Sequence, residues 1–343
     1  MMWRRFLLAV VLLLVPLGGV PGAGAGPVLD RVRDGGLLRC GVTPGGIGLS
    51  VLEVDGTWTG FFPDYCRAVA AAVAGGASHV DFIEVSSLNR FDVVRSGAVD
   101  VLMSANTWTL HRDAGLGMVF PFIYLYDGQG FMAHTSLPAR RLADVGAATV
   151  CVTDRTTTVR NLEQWIARTG ARLTVRRAST SDVARNEFFN HHCDLLTNDR
   201  IGLHAHRALG APNPADYVIL PDVISKEPLG PMIAPGDAEW ERVLRWVFLA
   251  TVLAEEADIT AGTLASHRES PDPEVRALLG VTPGTGAALG LDDRWAARII
   301  GEVGNYGEIF NRNLGEGSAL RIDRGLNDLW SRGGLLYAPP LGG

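Results

Sequence analysis

Lysine is nearly missing from this chain of 343 residues: Lys226 is the only one, and arginine supplies the rest of 31 basic side chains against 37 acidic ones. The formal charge of −6 becomes −8 without Arg4 and Arg5. With no cationic excess to meet phosphates, nucleic acid is not an expected partner. Cysteine is scarce too. Cys40, Cys66, Cys151 and Cys193 are the whole set, and no two have C-x₂₋₄-C spacing. The cluster His191-His192-Cys193 stands alone, so no metal site is expected. No H-E-x-x-H occurs, and no nucleophile and base fall into a recognisable pattern, so catalysis is not expected. Long apolar runs are absent after the first thirty residues. Residues 246–254 are apolar but are followed at once by Glu255-Glu256, which suits a buried helix and falls short of the roughly 20 residues of a membrane span.

What is there begins with Arg4-Arg5, then an apolar stretch over residues 6–17, then Ala23-Gly24-Ala25. Basic, apolar, small is the order of a secretory signal peptide, so residues 1–25 are expected to be removed near Ala25 and the mature chain to be exported. No cysteine stands directly after that site, which argues against a lipid anchor. A mature chain of this size sits where one core divides into two. An exported chain meets oxidising conditions, so two disulfides are expected. Four cysteines allow three pairings. Cys40 and Cys66 belong to the first part of the chain and Cys151 and Cys193 to the second, which favours one bridge in each part.

Residues 37–42 read as a strand, and a helix is expected to open at Pro63-Asp64 and to close at Gly75-Gly76. Cys66, Val69, Ala70 and Val73 share one face of that helix and should rest on the strand bearing Cys40. Strand 79–85, helix 88–96 and strand 99–103 follow. The same order returns as strand 148–153, helix 157–168, strand 173–177, helix 182–190 and strand 193–197. Val99-Asp100-Val101-Leu102 and Cys193-Asp194-Leu195-Leu196 occupy matching places. Two α/β lobes result, and ligands of open α/β sheets gather at the carboxyl ends of the strands, so the cleft between the lobes is the expected site. Gly284-Thr285-Gly286 reads as a loop, and the apolar stripe from Trp295 to Phe310 as core.

The segments Asn106-Thr107-Trp108-Thr109-Leu110-His111-Arg112-Asp113, Tyr126-Asp127-Gly128-Gln129-Gly130-Phe131, Ser225-Lys226-Glu227-Pro228-Leu229-Gly230-Pro231, Val303-Gly304-Asn305-Tyr306-Gly307-Glu308 and Arg324-Gly325-Leu326-Asn327-Asp328-Leu329-Trp330 carry a resemblance. The chain resembles the family 3 extracellular solute-binding proteins of bacterial ABC transporters, and within them the general L-amino-acid-binding subgroup. The resemblance covers essentially the whole mature chain. It implies an α/β, two-lobed periplasmic binding protein fold of type II: residues 26–126 and 228–343 form a discontinuous lobe 1 with a helical C-terminal extension, and 127–227 form lobe 2. It further implies a periplasmic monomer without a cofactor, a free amino acid as ligand and an inner-membrane ABC permease as partner.

An amino acid is a zwitterion, and burying it requires a matched receptor. Arg112 has the planar fork that grips a carboxylate, and it matches the arginine that holds the ligand α-carboxylate in the family. Thr107 matches the hydroxyl residue beside it, and Ala105 a position offering a carbonyl to the ammonium. Thr157, in Thr156-Thr157-Thr158, matches a backbone donor at a helix start, although Arg155 replaces the family's usual glycine. Asp199 matches the aspartate that accepts from the α-ammonium. Arg90 matches an arginine that contacts side-chain carboxylates in relatives binding acidic amino acids. Thr43 and Phe62 align with side-chain contacts, with Phe62 in place of an acidic residue. Arg90, Arg155 and Arg200 together point to glutamate, aspartate or their amides. Two rival readings are an enzyme such as a cyclohexadienyl dehydratase, with Asp199 and Glu53 as candidate acids, and a sensor for a membrane kinase.

Overall fold

The strand Leu38–Val42 is the centre of a three-stranded parallel sheet, flanked by Val80–Glu84 and Val101–Met103. The computed structural model describes residues 26–342, so the expected signal peptide, residues 1–25, lies outside the described residues. The helix Phe61–Val73 crosses from the middle strand to its neighbour and is buried on nearly every side, as expected of a helix that is apolar all round. Its Cys66 face meets the sheet through the Cys40–Cys66 disulfide, 2.10 Å between sulfurs, and its other faces meet the helices Ala238–Glu256 and Trp295–Glu302. The helix opens two residues before the expected Pro63. Gly60 at φ 123° turns the chain there, where a Cβ would lie 2.5 Å from the Leu49 carbonyl oxygen. Pro63 then falls inside the first turn, where its missing N–H leaves no hydrogen bond unmade.

The second sheet has five strands in the order Tyr217–Ile219, Gln129–His134, Leu195–Asp199, Ala148–Thr153, Leu173–Ala178. Gln129–His134 runs antiparallel to both neighbours and the remaining pairs are parallel. The helices Thr157–Thr169 and Ser181–Phe189 make its crossovers. Cys151 and Cys193 are disulfide-bonded at 1.96 Å, so the Cys193 sulfur beside His191-His192 is occupied and offers no thiolate to a metal. Between the sheets, Leu125–Asp127 and Glu227–Leu229 pair antiparallel with Asp127 opposite Glu227. These are the two hinge strands of a two-lobed fold.

The stripe from Trp295 to Phe310 forms the helices Trp295–Glu302 and Tyr306–Asn313, and Trp295, Ile299, Ile300, Tyr306, Ile309 and Phe310 join the core of the first lobe. The expected loop at Gly284 instead winds one helical turn, Thr285–Ala288. Asp293 Oδ1 accepts from the Gly284 and Gly286 amides, so no free amide cradle remains for a phosphate. Among the described residues no helix is long and apolar enough to cross a membrane.

Candidate ligand-binding site

A cavity of about 280 Å³ lies between the lobes, where the strands Val101–Met103 and Leu195–Asp199 end. Arg90, Arg112, Ala105, Thr43 and Phe62 reach it from the first lobe, and Thr157 and Asp199 from the second. Arg112 sits on the π-helical turn His111–Gly115 and is only 6% exposed; its Nη1 donates to the Thr107 carbonyl at 2.7 Å. Arg90 opens the helix Arg90–Arg95, and the ring of Phe91 lies under both guanidiniums, 5.0 Å from Arg90 and 5.7 Å from Arg112. Arg90 Nη2 donates to the Arg155 carbonyl at 3.4 Å, and its buried Nε has no partner.

Among the described residues no carboxylate lies within 4.0 Å of either guanidinium. Burial, with Arg90 beside it, pushes Arg112 down to about 9, and burial pushes Arg90 down to about 10. Both remain cationic near neutral pH. Two buried cations without a counter-ion are costly, and the cost falls when an anionic ligand arrives.

Asp199 supplies the opposite sign. It ends its strand and opens the helix Arg200–Ala205, but its carboxylate caps no amide and receives no donor among the described residues. Burial, then Glu227 and Asp127, raises it well above the usual carboxylate range. A ligand ammonium would relieve that penalty. Thr156 caps the helix Thr157–Thr169 by accepting from the Val159 amide, which leaves first-turn amides and the positive helix end facing the cavity. Arg155 has φ 55°, a left-handed conformation that favours glycine, which explains the family's usual residue at that place.

Three sequence expectations change. Thr107 is buried and does not line the cavity: its hydroxyl donates to Glu227 Oε2 at 2.5 Å and lies 3.2 Å from Thr157 Oγ1, so the hydroxyl ties the lobes together while the Thr107 carbonyl holds Arg112. Arg200 turns away from the cavity, donates to the Leu220 carbonyl at 3.0 Å and packs its stem over Gly130. Glu53, a candidate acid of the enzyme reading, is exposed on a hairpin and accepts from Thr59 Oγ1 at 2.6 Å, away from the cavity.

Glu227 is the residue that sequence reasoning passed over. Only 1% exposed, it accepts from Thr107 Oγ1 of the first lobe, from Asn161 Nδ2 of the second at 2.8 Å and from Ser225 Oγ of the hinge at 2.6 Å. Its presence in the Ser225–Pro231 motif was the available signal. Its partners lie too far off in the chain to be read. His206 was also missed. It lines the cavity, its Nε2 is 3.1 Å from Ser181 Oγ, and burial pushes it down to about 4, so it stays neutral. The lobes are closed on one another: Ile201 and Ala205 of the second lobe are buried in the first lobe's core.

Two lobes on a paired-strand hinge, closing over a cavity that presents unsatisfied charges of both signs, define a solute-binding protein. The chain belongs to the bacterial extracellular solute-binding proteins, family 3, whose model matches residues 38–240. It is 39% identical over 321 residues to the general L-amino acid-binding periplasmic protein AapJ of Rhizobium johnstonii, covering 93% of this chain and 94% of that protein. It is 41% identical over 322 residues to the glutamate/glutamine/aspartate/asparagine-binding protein BztA of Rhodobacter capsulatus, covering 94% and 95%. A solved ABC transporter periplasmic binding protein from Brucella ovis with glutathione bound superposes with a TM-score of 0.89 at 40% identity, covering 92% of this chain and 99% of that one.

Proposed function

We propose that this protein captures a free L-amino acid in the closed cleft and delivers it to an ABC permease in the membrane. The observation that carries the reading is the pairing, across one cavity, of Arg112 and Arg90 on one side with Asp199 on the other, each without a protein counter-charge in contact. In this reading Arg112 and the Thr157 amide hold the α-carboxylate, Asp199 and the Ala105 carbonyl take the α-ammonium, and Thr43 and Phe62 bound the side chain. Arg90 receives a side-chain carboxylate or amide. The preferred ligands are therefore glutamate, aspartate, glutamine and asparagine, in keeping with the ligands for which the 41% identical BztA is named. Glutathione belongs in the same panel, because its γ-glutamyl end carries the same α-ammonium and α-carboxylate and the Brucella ovis relative holds it.

Binding and closure are one event, since the ligand's two charged ends bridge receptors on different lobes. No covalent step is needed. The lobes comprise 26–126 with 228–343 and 127–227, the leader is removed near Ala25, and the exported protein works as a periplasmic monomer. Native mass spectrometry of freshly purified protein, followed by titration calorimetry with the panel, tests this. A co-purifying amino acid and submicromolar to micromolar binding of glutamate, about 8 kcal/mol or more, are expected. Leucine or phenylalanine displacing glutamate would remove the acidic preference, and no binding of any amino acid would remove the reading.

A further inference from the structure

Arg90 and Arg112 also line a second, smaller recess of about 150 Å³ at the edge of the gap between the lobes. His111 and Phe91 join them from the first lobe. Arg155, Arg160 and the helix start at Thr156-Thr157 complete it from the second. Two buried arginines of the first lobe and two exposed arginines of the second thus line one recess. None has a carboxylate within 4.0 Å among the described residues. Arg176 and Arg177, on the neighbouring strand of the same lobe, are paired with Glu187, Asp154 and Glu163.

The recess is built for more than a solvated face. Arg90 is 7% exposed and Arg112 6%, and the buried Arg90 Nε has no acceptor. Arg112 feels the repulsion of both Arg90 and Arg160. Asp199 and Glu227 attract it, but from beyond contact distance. Closing the lobes therefore brings Arg160 of the second lobe up to Arg112 of the first, and that repulsion opposes closure unless an anion enters. Guanidinium forks and first-turn helix amides are both suited to oxyanions. The recess has room for several waters, and so for one tetrahedral oxyanion.

We propose that this recess is a second ligand site, which takes a small tetrahedral oxyanion such as inorganic phosphate and ties the lobes together in the closed state. It rests on the closed-cleft reading given above but not on which amino acid fills the cleft. By linkage, an anion that binds only the closed form tightens amino-acid binding, and the amino acid tightens the anion equally.

The test uses the full mature protein. Glutamate is titrated in chloride and in phosphate of equal ionic strength, and phosphate is titrated into both glutamate-saturated and ligand-free protein. Saturable phosphate binding and a glutamate Kd at least about fivefold lower in phosphate are expected. Arg155, against the sequence expectation, and Arg160 do not line the amino-acid cavity, so in the Arg155→Asn/Arg160→Gln double variant glutamate binding in chloride is kept and the phosphate response is lost; asparagine tolerates the left-handed backbone at 155. Arg168→Gln, an exposed arginine outside the recess, keeps the response. The proposal is overturned by a lack of saturable phosphate binding, by a response that survives in the double variant, or by phosphate competing with glutamate. Failure of glutamate and every other amino acid to bind in chloride would instead sink the amino-acid reading, while variant-sensitive phosphate binding to the ligand-free protein would leave the recess standing.

Discussion

At the scale of single residues, the cleft works by leaving charges without partners until the ligand comes. Arg112 is anchored by the Thr107 carbonyl, so its fork is oriented before binding, at little further cost in side-chain order. Removing it deletes an aimed cation and leaves the ligand carboxylate buried and unpaired. Arg112→Ala is expected to weaken amino-acid binding by about thirtyfold or more, since such truncations cost on the order of 2–5 kcal/mol, while circular dichroism and the unfolding midpoint stay near wild type. Asp199 sets the pH dependence. Its folded carboxyl is raised above its ordinary value, so in the free protein its contribution to stability is present at low pH and is lost as pH rises through the raised value. The ligand ammonium selects the ionised form, so binding releases a proton and affinity rises with pH across that window. Calorimetry in buffers of different ionisation enthalpy should detect the proton release at pH below the raised value. Asp199→Asn should bind more weakly and lose the pH dependence. His206 cannot imitate this effect, being held neutral down to about pH 4.

At the scale of elements, the hinge pair carries the coupling. Glu227 collects hydrogen bonds from both lobes and from the hinge itself, and a carboxylate is the one side chain there able to accept all of them at once. Glu227→Gln keeps the shape but replaces one acceptor oxygen by a donor. With about 1.5–3 kcal/mol assigned to hydrogen bonds to a charged group, amino-acid Kd should rise on the order of tenfold or more, and small-angle scattering should show a larger open fraction at subsaturating ligand. Asn161→Ala, which removes only the second lobe's limb, should move both readouts less. Unchanged scattering together with unchanged affinity would show that closure does not pass through Glu227. Much at this scale was legible in the chain: strand and helix alternation, both disulfides and the hinge segments follow from periodicity, cysteine placement and motif. Arg200 was misread because a sequence gives the position of a side chain and not its direction, and Gly130 leaves room for its stem to fold away. Thr107 was placed beside Arg112 correctly in sequence, but its hydroxyl is claimed by Glu227, a partner 120 residues distant that no local pattern could announce.

At the scale of the whole molecule, the C-terminal segment reaches back to the hinge it follows by two hundred residues. The family match ends at residue 240, yet Asn327 clips the hinge strand at Tyr126, accepting from its amide at 2.6 Å and donating to its carbonyl at 3.0 Å. The clip is held in place from behind. Arg324 donates to both oxygens of the buried Glu255 at 3.1 Å and lies over the rings of Tyr306 and Phe310, while Tyr306 donates to the Tyr124 carbonyl at 2.9 Å. One hinge strand is therefore fixed to the first lobe's core by the extension, and bending is pushed toward the segment around Glu227. Arg324→Ala would leave Glu255 buried with only Arg332 near it, which should cost about 3–5 kcal/mol of stability. Asn327→Ala should cost less, about 1–3 kcal/mol for two backbone groups losing their partner, but it should act on the hinge directly. Hydrogen exchange at Tyr126 is expected to speed up while the core strand Leu38–Val42 stays protected, and amino-acid affinity should fall with the stability loss made up by ligand. If Asn327→Ala leaves both exchange at Tyr126 and affinity at wild-type values, the extension merely covers the first lobe and takes no part in how the cleft closes.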